Sequence, residues 1–278
     1  MSDHNNCSHN CSSCASGCPS GQGPQSLLKP ANQHSRIKRV VGVISGKGGG
    51  VGKSLVTALL ATTMQKKGHQ CAILDADITG PSIPRIFGLS EKAKIYGQEI
   101  LPVEAANHIK IMSVNLLLAK DTDPVVWRGP MIGGAVEQFW TDVCWGDIDY
   151  LFVDMPPGTG DVAQTVFQSL PVDGMIVVSS PQDLVGMIVE KAVKMADMVH
   201  IPVLGLVENM AYFQCPSCGD KHAIFGESHL EQWCRNYQVE LSAQIPIDPA
   251  LAQACDRGDI HTVDAPWLKD LVVGLEAL

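Results

Sequence analysis

The ten residues SGKGGGVGKS, 45 to 54, leave a chain few ways to fold. Glycines this dense expose backbone N–H groups. Such a loop cradles phosphates when a buried strand feeds it and a helix leaves it, because the helix N-terminus adds partial positive charge. Both flanks are present. RIKRVVGVIS, from Arg36, is a short apolar run after basic residues, as a buried strand should read. LVTALLATTMQKKG then repeats Leu55, Leu59, Leu60 and Met64 at helical spacing before Lys66, Lys67 and Gly68 stop it. The usual loop is G-x-x-x-x-G-K-[ST], and here Lys47 stands where its first glycine belongs.

The nucleotide is expected to lie along Gly46, Lys47, Gly48, Gly49, Gly50, Val51 and Gly52, with Lys53 on the outer phosphates and the Ser54 hydroxyl on Mg²⁺. Two carboxylate elements support this. DYLFVDM carries Asp154 next to its end, a carboxylate at the tip of an apolar strand that would meet the magnesium shell or, failing that, cap the next helix. LDAD ends the strand after the loop's helix and sets Asp75 and Asp77 on one face, because strand periodicity is two. One carboxylate could support the metal and the other position water. No N-K-x-D guanine-reading motif occurs, which favours ATP over GTP. Asn209, in VENM, reads either as an adenine contact or as a turn residue.

CAILDAD, DYLFVDM, GMIVVSS (174–180) and VLGLVEN (203–209) are further short apolar runs with little alternation, and helix-length segments lie between several of them. That pattern predicts an α/β fold, a mainly parallel sheet covered by helices on both faces. Residues 1–35 carry hardly any large apolar side chain before Leu27 and are expected to be a flexible Cys-rich tail on a domain spanning 36–278. No apolar run reaches the roughly 18 residues of a spanning helix. The opening MSDHNNCSHN lacks the basic patch and apolar core of a secretory signal, so the cytoplasm is expected. A net charge of −9 argues against a nucleic-acid partner.

In a reducing compartment, clustered thiols among the ten cysteines point to metal or redox chemistry. QCPSCGDKH brings Cys215 and Cys218 to one ion, yet structural zinc and a cubane cluster each want four ligands. Either His222 and another residue complete a zinc site, or a second copy of the chain supplies the other pair; a redox dithiol is the remaining reading. Cys7, Cys11, Cys14 and Cys18 follow C-x3-C-x2-C-x3-C in the tail, where nothing nearby could bury them. A second iron–sulfur cluster or a zinc ion, with His4 and His9 as spare ligands, accounts for them. Cys71, Cys144, Cys234 and Cys255 stand alone and read as packing, as do Trp127, Trp140 and Trp145.

SGKGGGVGKS, LDADITGPSIPRIFG, DMPPGTGD, SSPQDLV, VENMAYFQCPSCG and QIPIDP follow one another as in the Mrp family of iron–sulfur cluster carrier ATPases, a branch of the MinD-type deviant Walker A class. The chain resembles that family over roughly residues 36–261. The resemblance implies a P-loop NTPase fold and ATP hydrolysis that is slow and serves as a switch. It also implies a homodimer bridging a [4Fe-4S] cluster through Cys215 and Cys218, and delivery of that cluster to acceptor apoproteins. By the same resemblance Lys47 is the signature lysine that reaches the partner subunit's nucleotide, Asp77 positions water, and Asp75 and Asp154 belong to the magnesium shell. The family loop reads GKGGVGKS. Here one glycine is added between Lys47 and Lys53, and binding is expected to persist through Gly52, Lys53 and Ser54. A MinD- or ParA-like positioning switch with structural zinc is the competing reading. Against it, PWLKDLVVGLEAL is not a basic amphipathic helix of the kind that docks on anionic lipid, and no basic stripe suits DNA.

Overall fold

The computed structural model of the chain describes residues 27–46, 50–78, 80, 82–97, 99–118, 129–158, 160–182 and 186–278. Cys7, Cys11, Cys14, Cys18, Lys47, Gly48, Gly49 and Trp127 lie outside the described residues. Strand β1 (Ser35–Ile44) leads through the glycine loop into helix α1 (Lys53–Lys66), then β2 (Cys71–Asp75) and the single turn α2 (Ile83–Ile86). Four short strands follow: β3 (Lys94–Tyr96), β4 (Glu99–Leu101), β5 (Val103–Glu104) and β6 (Lys110–Met112). Next come α3 (Gly129–Thr141), β7 (Gly146–Asp154), α4 (Asp161–Ser169), β8 (Gly174–Ser179), α5 (Gly186–Val199) and β9 (Val203–Glu208). The chain closes with β10 (Phe213–Gln214), β11 (Lys221–His222), α6 (Leu230–Tyr237), β12 (Leu241–Gln244), α7 (Pro249–Arg257) and α8 (Lys269–Glu276).

The main sheet runs β12-β9-β8-β1-β7-β2-β6-β5. Every neighbouring pair in it is parallel except β5 with β6 at one edge. Its strands are apolar on both sides because both sides are covered. Val40 and Ile44 of β1, Ala72 and Leu74 of β2, and Leu151 and Val153 of β7 enter one core with α3, α4, α5 and α6. Val41 and Val43, Cys71 and Ile73, and Tyr150 and Phe152 enter a second core with α1, α7 and α8. The expected architecture is the observed one. Among the described residues, no helix is long and apolar enough to cross a membrane.

Parity along the strands also decides where the chemistry sits. Asp75 continues the Cys71, Ile73 series and Asp154 the Tyr150, Phe152 series, so both carboxylates point to the α1 side. Register makes them neighbours: Asp75 pairs with Asp154, and Asp154 with Val43 of β1. The carboxyl ends of β1, β2, β7 and β9 therefore open at one edge, where ligands of open α/β sheets bind.

The segment just before Arg36 makes its own contacts with the helices. Lys29 N donates to Ser169 O at 2.9 Å, Trp140 Nε1 donates to Lys29 O at 2.9 Å, and Asn32 is buried. Residues 29–35, assigned to the tail on composition, thus lie against α3 and α4. Polar residues did this through backbone hydrogen bonds, which leave no apolar signature. Trp145 is fully buried, with its indole N–H donating to Phe139 O at 3.2 Å. Replacing it with alanine removes a large core side chain. Trp145→Ala is expected to lower unfolding free energy by about 3–5 kcal/mol, read as a reduced guanidinium midpoint.

Candidate functional site

The glycine loop leaves β1 at Ser45 and enters α1 through Gly52, whose φ of 78° puts it in the left-handed region. A Cβ there would stand 2.2 Å from Asn209 Nδ2, so both conformation and space call for glycine. Gly50 also has a positive φ, 86°, with open space where a side chain would go. A cavity of about 320 Å³ opens above this loop, lined among others by Gly50, Gly52, Lys53, Ser54, Asp77 and Pro157.

Beneath the cavity lies a buried polar cluster. Lys53 Nζ donates to Asp154 Oδ1 at 2.7 Å, and Ser54 Oγ donates to Asp154 Oδ2 at 2.6 Å. Thr57, one helical turn beyond Lys53, donates Oγ1 to Asp154 Oδ1 at 2.9 Å. Sequence reading missed Thr57; its spacing of four from Lys53 was the available signal. Asp75 is fully buried, accepting from Ser113 Oγ at 3.0 Å and from Asp77 N at 3.2 Å. Ser113 was also missed, since it follows a strand of only three residues.

Asp77 differs from the other two carboxylates. It lines the cavity, its Oδ2 is 3.9 Å from Lys53 Nζ, and its Oδ1 accepts from Gly80 N at 3.3 Å. One ammonium thus faces three carboxylates. Burial, and then the charge of Asp154, push Asp75 well above the usual carboxylate range, against the opposing pull of Lys53 and Ser113. Ser54 and Asp77, side-chain oxygen donors that line the cavity, suit a hard divalent cation whose other positions phosphate oxygens and water would fill.

Asn209 follows β9 and is buried. Its Nδ2 donates to Val51 O at 3.0 Å, so in this geometry its amide braces the glycine loop.

Cys215 and Cys218 occupy the turn of a hairpin whose strands, β10 and β11, pair antiparallel. Cys215 N donates to Asp220 O at 2.8 Å, Gly219 N donates to Cys215 O at 2.9 Å, and Cys218 Sγ lies 3.1 Å from Asp220 Oδ2. Backbone N–H groups of Cys218 and then Ser217 hold the Cys215 thiol below its ordinary value. Among the described residues no group of three His, Cys, Asp or Glu side chains could hold a metal ion. His222 is exposed on β11, paired with Phe213 of β10. Of the other described cysteines, Cys71 is buried, and burial raises its thiol and those of Cys234 and Cys255.

The family model ParA, described as the NUBPL iron-transfer P-loop NTPase, matches residues 36–270. The chain belongs to this family. The iron-sulfur cluster carrier protein of Clostridium perfringens is 45% identical over 238 residues, 83% of either chain. The cytosolic Fe-S cluster assembly factor NUBP1 homolog of Caenorhabditis elegans is 41% identical over 251 residues, 86% of this chain and 80% of the relative. A nucleotide-binding protein from Archaeoglobus fulgidus, solved in complex with ADP, superposes with a TM-score of 0.76 at 42% identity, covering 84% of this chain and 91% of that one. MinD from Aquifex aeolicus, at 18% identity and a TM-score of 0.59 over 86% of this chain and 95% of its own, has the same fold. The resemblance to iron–sulfur carrier ATPases is thereby borne out.

Two outcomes follow from the electrostatics. The fold resists ionising Asp75, so its raised value favours the native state at low pH and withdraws that support as pH rises from about 3.9 towards the folded value. Asp75→Asn is expected to raise the melting midpoint of nucleotide-free protein near neutral pH by about 2–4 °C and to flatten that part of its pH dependence, both measurable by calorimetry. At the hairpin, iodoacetamide labelling followed by mass spectrometry should show Cys215 reacting ahead of Cys71, with a rate midpoint below that of an ordinary thiol.

Proposed function

We propose that the chain is an ATP-binding iron–sulfur cluster carrier, in which two copies share one [4Fe-4S] cluster through Cys215 and Cys218 and pass it to apoproteins. The observation that carries this reading is the thiol pair on its hairpin, where two sulfurs are presented, one of them exposed. A two-fold axis beside the hairpin would set the pair opposite itself and make four thiolates. Relatives named as iron-sulfur cluster carrier proteins, at 39–45% identity, support the cargo. The relative named as a cytosolic factor supports the cytoplasm as the place.

ATP occupies the cavity over the glycine loop, as the relative solved with ADP supports. Lys53 turns its ammonium to the outer phosphates. Ser54 and Asp77 would hold Mg²⁺, with Asp154 and Asp75 behind them, orienting the Ser54 hydroxyl and the Asp77 backbone. The ion supplies charge neutralisation at the phosphates. Asp77, on the cavity wall, orients a water whose oxygen attacks the γ-phosphorus; the bond to the β,γ-bridging oxygen breaks, giving ADP and phosphate. Lys47 is assigned to the partner subunit's nucleotide. Hydrolysis is slow and acts as a switch between dimer geometries. Cys7, Cys11, Cys14 and Cys18 are assigned to a second metal site, an iron–sulfur cluster or zinc.

Anaerobic reconstitution with iron and sulfide tests the cargo. The wild type is expected to gain broad absorbance near roughly 400 nm, the region of thiolate-to-iron charge transfer, and to elute as a dimer. Cys215→Ala should lose the iron bound at this site and the dimer together. Zinc alone, with no such absorbance, would favour the MinD-like switch with structural zinc. A loaded protein that stays monomeric, with iron untouched by removing both thiols, would overturn the carrier reading.

A further inference from the structure

The hydrogen bond from Asn209 Nδ2 to Val51 O joins the nucleotide loop to the segment that ends in the cysteine pair. Only Met210, Ala211, Tyr212, Phe213 and Gln214 lie between Asn209 and Cys215, and none is glycine. This short stretch is tied down at nearly every step. Asn209 N donates to Ser179 O at 2.8 Å, Ala211 N to Ile245 O at 2.9 Å, and Ile247 N to Tyr212 O at 2.7 Å. Phe213 and Gln214 then pair with His222 and Lys221, while Lys221 Nζ lies 4.1 Å from the centre of the Tyr212 ring. The contact at the loop end is equally close, since a single added carbon at Gly52 would overlap the Asn209 amide. Neither end can shift without the other following or the bond breaking.

We propose that Asn209 is the positioning residue that couples the nucleotide loop to the cysteine hairpin, so that nucleotide occupancy sets how Cys215 is presented. The proposal rests on the carrier reading for its purpose, and on the loop and hairpin geometry alone for its test. Phosphates bind by drawing on the backbone N–H groups of such a loop, and the Gly52 N–H belongs to the same peptide unit as the Val51 carbonyl. A ligand shifts a conformation only by interacting differently with its two states, and here the difference is made at the acceptor that Asn209 grips. The same junction has reason to own a second state. Glu208 is fully buried; its Oε2 accepts from Gln244 Nε2 at 3.0 Å, yet its Oε1 has no hydrogen-bond partner among the described residues. A buried acceptor left unmet is destabilising, and an arrangement that satisfied it would recover that cost.

The test uses cluster-free, full-length protein and measures Cys215 alkylation by iodoacetamide with and without a magnesium-bound, non-hydrolysable ATP analogue. Wild type is expected to change rate at least fivefold, the lower end of ordinary coupling between sites (about 5- to 150-fold). Asn209→Ala removes the amide; Asn209→Asp keeps its shape and removes the donor. Each is measured at an analogue concentration that saturates it, and both are expected to show a rate ratio near one. A wild-type rate indifferent to the analogue, or variants that keep the wild-type ratio, would overturn the coupling. Loss of analogue binding in both variants would overturn it too, leaving Asn209 a brace for the loop. Because no cluster is involved, each of these results leaves the carrier reading standing, and failed reconstitution leaves this measurement intact.

Discussion

The carboxylate of Asp154 sits out of reach of water at the end of β7, where Lys53, Ser54 and Thr57 all donate to it. Taking one partner from a buried ion pair typically destabilises by about 3–5 kcal/mol, since the remaining charge has no solvent to turn to. The first turns of α1 are therefore held over the strand ends by a force that permits little sliding. Asn209 holds the loop a second time at Val51, two residues before Lys53, so both anchors lie where the loop enters α1.

Burying the sheet on both faces leaves a fold of this type one place for polar chemistry. Side chains pointing up or down from the strands serve the two cores, and only residues at or beyond the carboxyl tips meet both a helix N-terminus and solvent. Asp77, just past the end of β2, reaches the cavity, whereas Asp75 and Asp154, still within their strands, do not. Two residues of chain length thus separate a carboxylate that can face substrate from one that can only organise its neighbours.

Much of this was legible in the sequence. Apolar runs without alternation announced a sheet covered on both sides, and the strands expected at RIKRVVGVIS, CAILDAD, DYLFVDM, GMIVVSS and VLGLVEN are all present. The glycine loop, Lys53, Ser54, Asp77 and Asp154 are brought together as their motifs suggested. What escaped notice lacked local contrast. KIM and LSAQ are too short or too polar to stand out, yet they pair as β6 and β12 because neighbouring strands offer free edges. Thr57 and Ser113 are ordinary residues until the register puts a carboxylate beside each. Asn209 could be read as a base contact or a turn from its motif; that its amide meets the Val51 carbonyl is a tertiary fact, invisible without knowing that the end of β9 passes beneath the loop. Residues near Lys29 gave little signal for a related reason, since their backbone groups bond to Ser169 and to the Trp140 indole.

The hairpin around Cys215 and Cys218 has two residues in each strand and leaves Cys218, Lys221, His222 and Ile224 exposed, so it owns almost no interior. Small elements of this size persist when something other than a hydrophobic core fills their centre. In a carrier, the transported group would serve as that centre, making the freight a structural member of the vehicle. Emptied of it, the hairpin would keep its backbone pairing but lose what its turn encloses, and a passing protein could tell a spent subunit from a charged one by that difference at the surface.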